Sequence, residues 1–230
     1  MKPLAVILKG VSRSFKNVSI FRGVNLKVSW GEMAAVVGPS GVGKTTLLRI
    51  VGTLDRPTDG EVKVCGTDVN TLDRGGLAEL RWSCLGFSFQ EPVLLPGLTA
   101  LDNVLLPCIP RVKSAKLRHF KKQAMMLLEA LGLRDRIRFK PHQLSVGQKK
   151  RVDLARALIN SPKVLIADEP TTNLDDESAR IIAEMLKERL EEGSTILLAT
   201  HQDQNLLSMA SVRLGLQRTF PRVNDNPKLD

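Results

Sequence analysis

The chain has 230 residues, of which 43% are hydrophobic and 25% are charged, and its formal net charge is +10. This length allows one sizeable core, and no stretch approaches the roughly 18 uninterrupted apolar residues that a membrane span needs. We therefore expect a single α/β domain that does not itself cross a bilayer. Its positive charge would attract nucleic acid or an anionic membrane surface, and charge alone does not distinguish between these partners.

The first thirty residues predict a small, largely antiparallel sheet. Residues 5–11 are rich in β-forming types, residues 12–18 are turn-like, and residues 23–28 alternate between apolar and polar side chains. The apolar run before Lys9 is too short to be a secretory signal, so we expect the chain to stay in the cytoplasm.

A phosphate-binding pattern follows. Residues 33–37 are continuously apolar, residues 44–52 have helical character, and the loop between them fits G-x-x-x-x-G-K-[ST] in full from Gly38 to Thr45. Backbone N–H groups and the helix N-terminus would surround phosphate oxygens, Lys44 would add a charge, and the Thr45 hydroxyl would face Mg²⁺. The pattern predicts nucleotide binding rather than a plain glycine turn.

The three cysteines, Cys65, Cys84 and Cys108, are far apart and have no C-x-x-C spacing. This spacing suggests neither a metal site nor a disulfide framework. We expect three reduced, structural thiols.

Residues 92–160 predict a helical insertion, because they lack a buried-strand pattern and contain several helix breakers. The basic residues between Arg111 and Lys122 alternate with apolar residues at helical spacing. We favour a helix whose basic face is exposed to solvent and whose apolar stripe is buried. A lipid or nucleic-acid patch is the alternative.

The parallel core resumes with an apolar strand at residues 163–167, a helix near 177–192 that Gly193 ends, and a second apolar strand at 195–199. The first of these strands delivers Asp168 and Glu169 at its end, where open α/β sheets place their ligand chemistry. Asp168 is the expected partner of Mg²⁺, and Glu169 is expected to accept a proton from a water that attacks the γ-phosphate. Beyond residue 216 the composition predicts a loosely held polar tail.

Residues 144–158 read LSVGQKKRVDLARAL and resemble the signature segment of ABC ATPases. Gln90, Asp175 in Asn173-Leu174-Asp175, and His201 occur in that family's order, and the resemblance covers nearly the whole chain. The chain is identified as resembling an ABC transporter ATP-binding subunit, most similar to the lipoprotein-release and macrolide-export group.

The resemblance implies a P-loop NTPase (RecA-like) core with an N-terminal antiparallel β subdomain and an inserted α-helical subdomain. As one ABC ATPase domain over residues 1–230, it would have its core and β subdomain at about 1–91 and 161–215, its helical subdomain at about 92–160 and its tail at 216–230. It further implies an ATPase that binds ATP and Mg²⁺ in a homodimer, with separate membrane permease subunits as partners, at the cytoplasmic face of the membrane.

The resemblance also assigns roles to residues. It implies that Glu169, His201 and Gln90 are catalytic and that Thr45, Gln90 and Asp168 hold Mg²⁺. The nucleotide would be bound by Phe15 at the adenine ring, by Gly38, Pro39, Ser40, Gly41, Val42, Gly43, Lys44, Thr45 and Thr46, by Asp175, and by Ser145, Gly147 and Gln148 of the opposite copy.

Two features of the signature segment depart from the family pattern. Val146 replaces a glycine of the signature, and Lys149 and Lys150 stand where many relatives have glutamines. Since a β-branched residue needs more room, we hypothesise that Val146 weakens closure or hydrolysis.

The alternative function is a soluble ABC ATPase acting on nucleic acid or in iron–sulfur cluster assembly. The absence of a long heptad insertion and of a second cassette disfavours this alternative.

Overall fold

The computed structural model describes residues 3–16, 18–200 and 203–217, with only the backbone described at residues 114 and 115. The strands are β1 (Leu4–Phe15), β2 (Val18–Ser29), β3 (Met33–Val37), β4 (Asp59–Val64), β5 (Thr67–Asp68), β6 (Leu85–Ser88), β7 (Val164–Asp168), β8 (Thr195–Thr200) and β9 (Val212–Gly215). The helices are α1 (Lys44–Val51), α2 (Arg74–Cys84), α3 (Ala100–Leu105), α4 (Ser114–Ala130), α5 (Val146–Leu158), α6 (Asp176–Glu191) and α7 (Gln204–Met209).

The strands form two sheets. An antiparallel sheet has the order β2-β1-β4-β5, and a parallel sheet has the order β6-β7-β8-β3-β9. The α/β class and the N-terminal antiparallel sheet are therefore confirmed. The turn expected at residues 12–18 is wrong, because β1 continues to Phe15 through several register shifts and β2 already begins at Val18.

The central parallel strands are buried on both faces. Every residue of β7 and β8 is buried, which explains why each strand is an uninterrupted apolar run in the sequence. Successive side chains point to opposite faces of the sheet. Leu197 packs in the cluster that includes the antiparallel sheet and α1, whereas Leu198 packs in the cluster that includes α3, α4 and α5.

The helices between β6 and β7 confirm the predicted helical insertion. Leu127 and Leu128 of α4 are buried, while the basic side chains of Lys116, Lys121 and Lys122 are exposed. This arrangement agrees with the interpretation of a solvated face over a buried apolar stripe. Across the described ranges, none of the helices combines the length and apolar character required to cross a membrane.

The expectation of three reduced thiols is wrong. Cys65 lies in the turn between β4 and β5, Cys84 ends α2, and the two form a disulfide across a sequence separation of 19. Spacing along the chain could not reveal this pairing, because the fold brings the turn and the helix end together. Cys108 is a free, buried thiol, and its burial raises its pKa to about 11.

Candidate nucleotide site

The phosphate-binding loop runs from the end of β3 to the start of α1, as the sequence predicts. Gly43 precedes the helix at a φ of 103°, and a Cβ added there would lie 2.6 Å from Ile20 Cγ2. A Cβ added at Gly38 would lie 2.6 Å from the carbonyl oxygen of Leu216. Both positions therefore require glycine, because the loop passes closely beneath β2 and beside the chain that follows β9.

Lys44 bridges the two halves of the loop. Its side chain is 5% exposed, and its Nζ donates to the carbonyl oxygens of Gly38 at 2.9 Å and Pro39 at 3.2 Å. The same Nζ lies 3.4 Å from Glu169 Oε1. The ammonium is thus fixed where outer phosphates would enter, with a carboxylate beside it.

Glu169 leaves the end of β7 in a left-handed conformation, with a φ of 46°. Its amide donates to the carbonyl oxygen of Ala199 at 3.0 Å, and its Oε2 accepts from Gln90 Nε2 at 3.4 Å. The structure therefore brings Gln90, Lys44 and Glu169 together. They share a cavity of about 290 Å³, whose lining residues are Ile20, Ser40, Gly41, Gly43, Lys44, Thr45, Thr46, Gln90 and Glu169.

The surroundings of Asp168 indicate whether a divalent cation fits this site. Burial raises the pKa of its carboxyl, and the hydrogen bond with the Thr45 hydroxyl acts in the opposite direction. Asp168 Oδ1 is buried and has no hydrogen-bond partner within the described part of the chain. A buried, orphaned carboxylate oxygen beside a hydroxyl is the kind of donor set that Mg²⁺ takes, with phosphate oxygens and water completing its shell. The residues therefore fit the ion.

The signature segment begins α5. The Ser145 hydroxyl accepts from the Gln148 amide at 3.2 Å, and Gln148 Oε1 accepts from the Ser145 amide at 3.0 Å, which makes a capping box. A Cβ at Gly147 would lie 2.5 Å from Ser178 Oγ, because the start of α5 packs on the start of α6. Asp175 caps α6, and its hydrogen bond with the Ser178 amide lowers its pKa.

Several predicted residues do not join the cavity around Lys44. Ser145, Gly147 and Gln148 are absent from its lining, and their role toward another copy stays a prediction. Phe15, at the end of β1, is 64% exposed and also lies outside the lining, so adenine stacking stays a prediction. His201 lies outside the described residues, directly after the buried end of β8.

Three residues near the site escaped prediction. Ile20 lines the cavity from β2. Lys150 is buried on α5 and donates to the backbone carbonyls of Glu169 and Thr172. Burial lowers its pKa, and the carboxylates of Glu169, Asp153 and Asp168 act in the opposite direction. Asp153, also buried on α5, accepts hydrogen bonds just before Gln90. The only sequence signal for Asp153 and Lys150 is a charge at an otherwise core-facing position of a helix.

Comparisons with known proteins agree with this geometry. The profile of the family described as ABC transporter matches residues 21–172. An uncharacterized ABC transporter ATP-binding protein of Bacillus subtilis, YvrO, is 45% identical over 198 residues, which are 84% of this chain and 86% of that protein. The lipoprotein-releasing system ATP-binding protein LolD of Bacteroides fragilis is 39% identical over 197 residues, covering 85% of this chain and 90% of that one.

A macrolide export ATP-binding/permease protein, MacB of Nitrobacter winogradskyi, is 43% identical over 208 residues, but the match covers 89% of this chain and 32% of that protein. The chain thus spans about a third of the length of this relative. Among solved structures, the dimeric ATP-binding cassette MJ0796 in a post-hydrolysis state with ADP and Pi matches with a TM-score of 0.85 and 37% identity, over 92% of this chain and 94% of that one. The chain therefore belongs to the ABC transporter family, as one of its ATP-binding, ATP-hydrolysing members.

Proposed function

We propose that this chain hydrolyses MgATP between two head-to-tail copies and thereby powers a separate membrane permease. The observation that carries this proposal is the convergence of Lys44, Gln90 and Glu169 at the phosphate-binding loop, beside the orphaned oxygen of Asp168. A phosphate anchor and a proton acceptor in one cavity, with a buried carboxylate for a cation beside them, are the parts that phosphoryl transfer to water requires.

In this mechanism the loop amides and Lys44 bind the outer phosphates. Asp168, Thr45 and Gln90 would hold Mg²⁺, which would supply positive charge to neutralise the phosphate oxygens. Glu169 accepts a proton from the attacking water, and its position between Lys44 and Gln90 fixes the direction of that transfer. His201 donates a hydrogen bond to the γ-phosphate.

The second copy completes each site. The start of α5 presents the Ser145 hydroxyl, the Gly147 backbone and Gln148 toward the γ-phosphate bound by its partner, where the positive end of the helix favours an anion. Val146 is 60% exposed at this end and would stand between the two copies. Hydrolysis removes the phosphate contact, and the dimer reopens.

The permease would dock at a groove of about 330 Å³ beside the residue that precedes Gln90. Its lining includes the apolar side chains of Leu54, Trp82 and Phe87, together with Arg111 and Arg156. An apolar groove of this kind suits the apolar face of an amphipathic segment of a partner. Docked in this way, the chain works at the cytoplasmic face of the membrane.

The test compares the wild-type chain with Glu169→Gln and Lys44→Ala. The wild type is expected to hydrolyse MgATP, Glu169→Gln to form a stable ATP-dependent dimer with little hydrolysis, and Lys44→Ala to lose binding. Tagged Glu169→Gln is then used to recover membrane partners. An unchanged hydrolysis rate in Glu169→Gln would refute the mechanism. Recovery of nucleic acid alone, with ATPase stimulation by it, would favour the soluble alternative.

A further inference from the structure

Lys150 is a buried cation on α5, and its ammonium group donates hydrogen bonds to two backbone carbonyl oxygens. Its side chain is 7% exposed, and its Nζ donates to the carbonyl oxygen of Glu169 at 3.0 Å and to that of Thr172 at 2.8 Å. A buried ammonium is costly unless strong acceptors surround it. Burial of this cation thus favours the one backbone geometry that brings both carbonyls to it.

The two carbonyls belong to a turn that holds an unfavourable conformation. Glu169 has a φ of 46° and Asn173 a φ of 61°, although neither is a glycine. Within the turn, the Thr172 amide donates to the Glu169 carbonyl at 3.3 Å. Non-glycine residues keep a left-handed conformation only where surrounding contacts hold them in it. The two hydrogen bonds from Lys150 are among those contacts.

We propose that Lys150 is a positioning residue that links the Ser145 end of α5 to the Glu169 carboxylate of the same chain. Lys150 lies about one and a half helical turns from Ser145, so a helix that moves as a rigid body carries both residues together. This inference rests on the proposed dimer, in which Ser145 faces the ATP of the partner copy while Glu169 acts on the ATP of its own chain. Lys150 therefore couples the two ATP sites.

The test replaces Lys150 with Met, which keeps the stem but has no donors, and with Arg, which restores donors. Lys149→Met is the matched control, because Lys149 is the adjacent lysine of the same helix and is partly exposed. For Lys150→Met we expect kcat to fall about tenfold through misplacement of Glu169, while KM for MgATP stays within about twofold. The Hill coefficient for ATP is expected to fall toward about 1.

A structural readout accompanies the kinetics. Hydrogen exchange at the amides of Glu169, Thr171, Thr172 and Asn173 is expected to accelerate in Lys150→Met and to recover in Lys150→Arg, with Lys149→Met unchanged. If Lys150→Met does not fold, Lys150→Leu, which also removes the donors, carries the same comparison.

Wild-type kcat and Hill coefficient in a folded Lys150→Met, or in Lys150→Leu if that variant carries the test, would overturn the inference, as would an equal loss in Lys149→Met. These outcomes leave the proposed function standing, because the wild type still hydrolyses ATP. A wild-type chain without ATPase activity would instead overturn the proposed function itself.

Discussion

The Asp153 carboxylate offers the sharpest test of how the segment around Gln90 is held. Asp153 is fully buried and accepts hydrogen bonds from Ser88 Oγ at 2.9 Å and from the Phe89 amide at 2.8 Å. It also pairs with Arg156, whose guanidinium donates to the carbonyl oxygen of Val93 at 2.7 Å. Asp153 and Arg156 together thereby join α5 to the segment on both sides of Gln90.

Replacement of Asp153 by Ala would leave the Ser88 hydroxyl and the Phe89 amide without their acceptor. Each buried group left unsatisfied costs about 1–3 kcal/mol, and breaking a buried ion pair by removal of one partner costs about 3–5 kcal/mol. The costs overlap, and Arg156 keeps its bond to Val93, so we expect the free energy of unfolding to fall by about 3–5 kcal/mol in total.

The assay is urea unfolding followed by tryptophan fluorescence, with two comparison variants. Asp153→Asn keeps one carbonyl acceptor and is expected to lose about 1–3 kcal/mol. Asp135→Ala, at an exposed position of the same helical insertion, is expected to change stability by no more than about 0.5 kcal/mol. A loss below about 1 kcal/mol in Asp153→Ala would show that these hydrogen bonds do not hold the segment.

Three further predictions follow from single positions. Val146→Gly is expected to raise the ATPase rate because it clears the exposed end of α5, and a native rate equal to or above the variant's would contradict this. Reduction of the Cys65–Cys84 disulfide, whose sequence separation is 19, is expected to lower the free energy of unfolding by about 3 kcal/mol; equal urea midpoints with and without reductant would exclude it. Because burial raises the pKa of Cys108 to about 11, its thiolate is scarce at pH 8, so iodoacetamide should label it only after unfolding; rapid labelling of the folded chain would show that Cys108 is accessible.

The elements that sequence reasoning predicted well are those whose pattern is set locally. The strand before Gly38 and the strand that delivers Asp168 are continuous apolar runs because both of their faces are buried. Gly38 is required by the close approach of the Leu216 carbonyl oxygen and Gly43 by that of the Ile20 side chain, so the loop motif has a structural reason at both glycines.

The elements that escaped prediction depend on tertiary partners. A periodic reading places charged residues on the surface, yet Lys150 and Asp153 are buried because Glu169, Thr172, Ser88 and the Phe89 amide supply their partners. No strand or helix was predicted between α1 and Gln90, where the structure has β4, α2 and β6. These short segments lack a long periodic pattern.

The alternation of the central strands has a use for experiment. Leu197 and Leu198 are neighbours on β8, yet one packs with the antiparallel sheet and α1 and the other with the helical insertion. Isotope-labelled methyl groups at these two positions would act as paired reporters, one for each side of the sheet. A motion of the helical insertion alone would shift the Leu198 resonance and leave the Leu197 resonance in place.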